Sequence, residues 1–375
     1  MKQFFILAVA AVAATAACTK NEVTEAPNVP VSFEVASYRS QTKAADPTAP
    51  EGSFLRVDDH FSSQAFLHAQ GVDLDENGAV NGSTFQQFFG SASPWSETIS
   101  WDGTNKKWAP SNTYYWPKGS QSFVNFVSWY GATPTVSYAY TSSKWTATMT
   151  FAAADISNSS DILYADMAWR YKANESTYHK DDADVVGVPT LFRHGLSRIA
   201  VKAYVQNAAG NIAAGPSDAN ASWVITIKNF TLGSVTTSGN LVLTNADPGS
   251  KGIQEWTATV TSPASGNISA SDAVISSVAK ASATDVVALR SVLPQTIANT
   301  VKMNFNLDIV KTTSGNTQHE IIPVELTLDA FGTSAWAKNT QYTYYIKIDP
   351  TQNEVLYDPA VESDWVEETT NEQSI

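Results

Sequence analysis

Apolar residues recur in this chain at every second position, in segment after segment, and almost never at helical spacing. Val29, Val31, Phe33 and Val35 alternate with Pro30, Ser32, Glu34 and Ala36. Ile199, Val201, Ala203 and Val205 repeat the pattern in the clearest interior strand and face one way, with Arg198, Lys202 and Tyr204 facing the other. Trp223, Ile225 and Ile227 follow, then Met303, Phe305, Leu307 and Ile309, then Val324, Leu326 and Leu328, then Tyr342, Tyr344, Ile346 and Ile348. A period of two sends successive side chains to opposite faces, so each segment reads as a strand with one buried face. Only the 271–289 segment invites a short helix, and its spacing is untidy. The class is all-β, and the number of strands suggests two sandwiches. The densest turn cluster, 245–252, is where the boundary between them is expected.

The first strand stands apart from the rest. Met1-Lys2-Gln3 and the apolar run 4–14 form a secretory signal too short to span a membrane. It ends in Thr15-Ala16-Ala17-Cys18, which resembles a bacterial lipobox, with cleavage between Ala17 and Cys18 and acyl chains on the cysteine. Cys18 is the only cysteine in 375 residues, so a disulfide framework and thiolate zinc sites are excluded. A polar tether leads from Cys18 to the strand. Behind the strand, residues 38–50 are polar, carry Arg39 and Lys43, and include Pro47 and Pro50. A lone strand is therefore tethered in front and cuttable behind.

Chemistry is sparse. The formal net charge of −13 disfavours nucleic acid as a partner. His60, His68, His179, His194 and His319 are scattered, with no pair at metal-ligand spacing. No zinc-protease, nucleophile-elbow, phosphate-loop or dinucleotide motif occurs, and neither enzyme activity nor a cofactor or metal is expected. Asp73-Leu74-Asp75-Glu76-Asn77-Gly78 matches the first half of a calcium loop, but Thr84 stands where a bidentate Glu is required. Its Asn-Gly reads as a solvated hairpin turn. The charge run 180–184 reads as an exposed loop. Trp95, Trp101, Trp108 and Trp116 lie in a turn-rich region and invite a sugar-stacking reading, against which core packing is favoured.

Several residue groups, taken in order, resemble the fimbrillin family, the subunits of type V pili. They are the lipobox with its Val-x-Phe-x-Val strand, the linker with Arg39 and Lys43-Ala44, and Asp161-Ile162-Leu163-Tyr164-Ala165. Leu191-Phe192-Arg193-His194-Gly195-Leu196-Ser197 and Leu293-Pro294-Gln295-Thr296 follow, then the 339–348 strand, Tyr357-Asp358-Pro359-Ala360-Val361 and Trp365. The resemblance implies two transthyretin-like Greek-key β-sandwich domains in tandem. The expected division is 1–17 signal peptide, 18–45 anchor tether and removable strand, 46–248 N-terminal domain and 249–375 C-terminal domain with a donor-strand tail.

It also implies a precursor lipoprotein (palmitate-bearing) of the cell outer membrane, which becomes part of a surface fimbrium. A trypsin-like surface protease would cut after Arg39, Lys43 or Arg56 and release the strand of Val29, Val31, Phe33 and Val35. The vacated groove would accept a strand from another pilus subunit, in a head-to-tail homo- or hetero-polymer that supports adhesion. The donor is sought in 353–366, where Val355, Tyr357, Val361 and Trp365 supply apolar knobs, although Pro350 and Pro359 interrupt it. A stalk or tip subunit is implied. The alternative is a monomeric lipid-anchored adhesin that binds host or glycan ligands.

Overall fold

The computed structural model describes residues 29–37, 55, 58–69, 86–90, 95–117, 122–141, 144–158, 161–171, 187–206, 221–350 and 354–364. The Asn77-Gly78 turn, the incomplete calcium loop and the 180–184 charge run lie outside them.

The first strands are β1 (Phe33–Ser37), β2 (His60–Ala69), β3 (Gln86–Gln87), β4 (Ser96–Asp102), β5 (Lys107–Pro110), β6 (Ser122–Tyr130), β7 (Thr135–Thr141) and β8 (Lys144–Phe151). A six-residue helix, α1 (Ala153–Asn158), precedes β9 (Leu163–Ala165), β10 (Met167–Tyr171), β11 (Val188–His194) and β12 (Ser197–Val205). Then come β13 (Ala221–Ala246), β14 (Gly252–Gln254), β15 (Thr257–Ser269), β16 (Ala273–Val274) and β17 (Thr284–Val292). The chain ends with β18 (Gln295–Thr296), β19 (Lys302–Thr313), β20 (Asn316–Thr327), β21 (Ala335–Trp336), β22 (Thr340–Asp349) and β23 (Glu354–Asp364). The fold is nearly all β, as the period-two pattern requires.

Ten strands form one sheet in the order β14-β10-β6-β9-β11-β1-β5-β4-β2-β3, and an extra pairing joins β6 to β2. Followed from β6 through β9, β11, β1, β5, β4 and β2, the pairs return to β6. Seven strands thus make a closed circuit, which removes sheet edges from its wall. Its interior is packed with Val31, Phe33, Phe61, Phe89, Ile99, Trp108, Phe126 and Phe192, among others. β6 is buried on both faces. Val124 and Phe126 point into the circuit, while Val127 and Trp129 join an outer core with Met149, Phe151, Trp169, Leu241 and Trp256.

A four-stranded sheet, β17-β12-β22-β23, faces a seven-stranded one ordered β20-β19-β13-β8-β7, with β15 and β16 also on β13. Ile199, Val201 and Ala203 meet Ile225, Ile227, Phe305, Leu307, Tyr344 and Ile346 between them. β13 is long enough to serve this core with Ile225 and Ile227 and the outer core with Leu241 and Leu243.

Two expectations are corrected. The 271–289 segment is not α-helical: it holds β16, a 3-10 turn at Lys280–Ser282 and most of β17. Val286 and Val287 are consecutive buried residues because the β12–β17 register shifts there, and that scrambles the period. Tyr204, on the other face of β12 from Ile199, Val201 and Ala203, is also buried, and its hydroxyl donates to Asp358 of β23 at 2.8 Å. The Val324–Leu328 alternation stops one residue early, because Leu328 begins a 3-10 turn.

Candidate functional site: the seat of the first strand

β1 is a wall strand of the closed circuit, held on both sides. On one side it runs parallel to β11, with Phe33 opposite Val188 and Ser37 opposite Phe192. On the other side Phe33 is opposite Trp108 of β5. The approach to β1 is also paired: Val31 N–H donates to Tyr114 O at 2.8 Å, and Trp116 N–H to Val29 O at 2.9 Å. Val31, Phe33 and Val35 are buried, Val29 packs beside them, and Glu34 faces solvent. The alternation read from sequence is therefore an inward face and an outward face.

Phe33 is the centre of the seat. It is 1% exposed, with its ring 5.6 Å from Phe61, 5.5 Å from Phe126 and 6.2 Å from Phe89. The first two contacts are edge-on, the arrangement aromatic quadrupoles favour. Burying Val31, Phe33 and Val35 is worth roughly 5–9 kcal/mol as an upper estimate. Sequence reasoning found β1 but not its pocket. Phe61, Phe89, Trp108 and Phe126 come from distant segments, and no spacing links them. Gly187 was also missed. It sits against the β1 backbone at φ +107°, so only glycine fits comfortably. The Nε1 groups of buried Trp108 and Trp116 have no hydrogen-bond partner among the described residues.

Among the described residues β23 lies at the edge of its sheet and pairs only with β22. Val355 and Ala360 pack against the core, whereas Tyr357 and Val361 are 44% and 43% exposed. Tyr357 rests on Phe331 at 4.9 Å between ring centroids. Pro359 is tolerated within β23 because a register shift and a free edge spare it a lost ladder bond. Asp358 fastens the strand, accepting from Tyr204 and pairing with Lys280 Nζ at 2.9 Å. Partial burial pushes its carboxyl up, but the bonds from Lys280 and Tyr204 outweigh this and hold it below the usual range. The stabilisation it brings is thus full above the ordinary carboxyl pKa of about 3.9 and is lost as pH falls through the lower native value. Asp358→Asn should loosen β23 by about 1–2 kcal/mol at pH 7 and much less at pH 3. Hydrogen exchange of the β23 amides measures this, and equal loosening at both pH values would refute it.

Of the four tryptophans in the turn-rich region, Trp108 and Trp116 are buried in the circuit and Trp101 packs on Trp108 at 5.9 Å. Trp95 alone of the four is exposed. His194 bonds Asp161 through Nδ1 at 2.7 Å, and His319 bonds Asp308 through Nε2 at 2.7 Å. His60 is exposed, the side chain of His68 is not described, and His179 lies outside the described residues. Among the described residues no group of three or more His, Cys, Asp or Glu side chains is placed to hold a metal, and no helix is long and apolar enough to cross a membrane. Ala17, Cys18, Arg39, Lys43, Arg56 and Trp365 lie outside the described residues.

A fimbrillin-like family profile matches residues 80–365, and the chain belongs to the fimbrillin-like family. It is accordingly a pilus-type structural or adhesion subunit of the cell surface, associating with other subunits, and the family points to a non-enzymatic role. Among solved structures, a fimbrial protein from Bacteroides vulgatus is 16% identical, with 90% of this chain and 100% of that chain covered and a TM-score of 0.49. A cell adhesion protein from Bacteroides uniformis is 14% identical, with 90% and 100% covered and a TM-score of 0.41. The tip fimbrial protein Mfa3 from Porphyromonas gingivalis is 10% identical, with 82% and 95% covered and a TM-score of 0.33. Likeness at this level transfers no residue role. No match is found among curated proteins.

Proposed function

We propose that the chain is a pilus subunit precursor whose first strand is a removable plug. The carrying observation is that β1 lies inside the closed strand circuit, paired on both sides, although it precedes the bulk of the circuit by a long polar linker. In this reading Cys18 takes lipid after cleavage at Ala17 and anchors the precursor to the outer membrane. A trypsin-like surface protease then cuts after Arg39, Lys43 or Arg56. Residue 55 is buried beside the same core, which favours a cut at Arg39 or Lys43.

Removal of β1 opens the circuit along β11 and β5, leaving unpaired backbone and an aromatic slot. A strand from another subunit restores both, as strand addition does generally. Repetition head to tail makes a filament, because the contact does not close on itself. Tandem transthyretin-like domains belong to the same proposal. So does a stalk or tip role without catalysis.

Trypsin treatment of the secreted chain tests it. One early cut is expected between residues 38 and 56, followed by ladders of polymer. Absence of that cut, or cut protein that stays monomeric, overturns the stalk reading.

A further inference from the structure

We propose that the outer face of the seven-stranded sheet carries a binding site for a neutral sugar, in a hollow between β13, β19 and β20. The hollow measures about 350 Å³ and is walled by Asn229, Asn304, Asn306, Pro323 and Glu325. That volume is at the low end for small-molecule sites, with room for a sugar ring rather than a long chain. The site stands without the strand-removal reading above; only its repetition along a fibre rests on that reading.

A bulge builds the hollow. β13 takes three steps from Lys228 to Thr231 while β19 takes two from Asn306 to Asn304. The extra residue leaves Lys228 and Asn229 in succession outside the core, whereas Ile227 and Phe230 on either side are buried in it. Asn229 takes φ +54°, a left-handed conformation that asparagine tolerates better than most residues. Its backbone N–H donates to Asp272 Oδ1 at 3.2 Å, which leaves the carboxamide to the hollow. On the neighbouring strands Asn306 is opposite Pro323 and Asn304 is opposite Glu325. These four share the outer face, because Phe305 and Val324 between them pack on the core.

The hydrogen-bonding capacity of the hollow is unused. Among the described residues the side chains of Asn229, Asn304 and Asn306 have no hydrogen-bond partner, although Asn304 and Asn306 are half-buried. Each carboxamide offers two donors and an acceptor oxygen. A sugar hydroxyl donates and accepts at once, so a ring of hydroxyls completes such a lining. The nearby charges are already matched. Lys302 pairs with Glu325, and Lys228 pairs with Asp308 at 2.7 Å, which also accepts from His319. An acidic sugar or a phosphate therefore finds no spare cation in the wall and meets the Glu325 carboxylate. A peptide strand is a poorer occupant. Pro323 cannot donate into the ladder with β19, so its nitrogen faces the edge of β20, where an added strand would miss a bond. Its ring instead gives the hollow one apolar wall, suited to the C–H face of a sugar.

The position suits a fibre. None of the three strands pairs with β1, so loss and replacement of the plug leave the hollow open. Each subunit then presents one site, and weak sites in a row hold a surface tightly.

Saturation-transfer NMR and calorimetric titration of the uncut chain with glucose, galactose, mannose, N-acetylglucosamine and glucuronate test the site. At least one neutral sugar should bind with a millimolar Kd, and glucuronate about tenfold more weakly. Asn304→Val and Asn306→Val, both compatible with a strand, should each weaken binding about tenfold without lowering the melting temperature. Asn229→Gly keeps the left-handed backbone and should weaken binding in the same way. Trp95→Ala should bind as wild type does. Three results overturn the proposal: no neutral sugar bound, glucuronate bound as tightly as the neutral sugars, or binding lost in Trp95→Ala and kept in the asparagine variants. Fibres should hold a sugar-coated surface about a hundredfold more tightly than the uncut chain does. Equal retention overturns the repetition along the fibre and leaves the single site standing.

Discussion

Phe33→Ala should destabilise the seat of β1 by about 3–5 kcal/mol, the usual cost of deleting a fully buried phenylalanine. The ring is 1% exposed and touches three other rings, and those rings are themselves fixed in a closed wall, so the site has little freedom to collapse. Denaturant titration of the uncut precursor measures the loss. After the linker is cut, the weakened plug should leave faster. A 3 kcal/mol deficit corresponds to about a hundredfold, seen as earlier onset of polymerisation. The empty slot is unchanged on the receiving subunit, so final polymer yield should match wild type. A loss under about 1 kcal/mol, with unaltered onset, would show that Phe33 does not hold the plug.

Gly187→Ala should have the opposite signature. An added Cβ would lie 2.7 Å from the backbone nitrogen of Glu34 and 2.7 Å from the carbonyl carbon of Phe33, in a backbone conformation that side chains rarely adopt. Backbone atoms cannot rotate away, so β1 must shift from β11 or Gly187 must change conformation. We expect about 2–4 kcal/mol of destabilisation. The obstruction belongs to the groove rather than to the plug, and any strand seated there meets it. The cut variant should therefore lose its first strand readily and yet polymerise poorly. Size-exclusion chromatography after cutting, beside Phe33→Ala, reads both effects. Efficient polymerisation of Gly187→Ala would mean that the incoming strand does not follow the path of β1.

Much of this was legible beforehand. β1, β12, β19 and β22 were each visible because one face is buried and the other is not, so burial writes a period of two into the sequence. β15 was not. It is largely exposed along its length, and Thr257–Ser269 is dominated by Ser, Thr and Ala with few residues to alternate. Its position is set by pairing with β13, which leaves no mark on hydropathy. The strand to be removed could be named from its alternation and its flanks. The slot that holds it could not, since Phe61, Phe89, Trp108, Phe126 and Gly187 meet only through long-range pairing. The burial of Tyr204, which shares the parity of Arg198 and Lys202, was not legible either, since it comes from the bond to Asp358 of the C-terminal strand.

The 26-residue β13 has a mechanical consequence. Its first half is laddered to β19 and its last part to β8, so one uninterrupted backbone runs through both ladders. Force along that strand would load many hydrogen bonds side by side, in shear, rather than peel them one at a time. A fibre pulled by flow would then yield first at the strand contacts between subunits, while each subunit body stays folded. Stretching single fibres should accordingly give long elastic runs ended by abrupt separation between subunits, with little lengthening from unfolding within them.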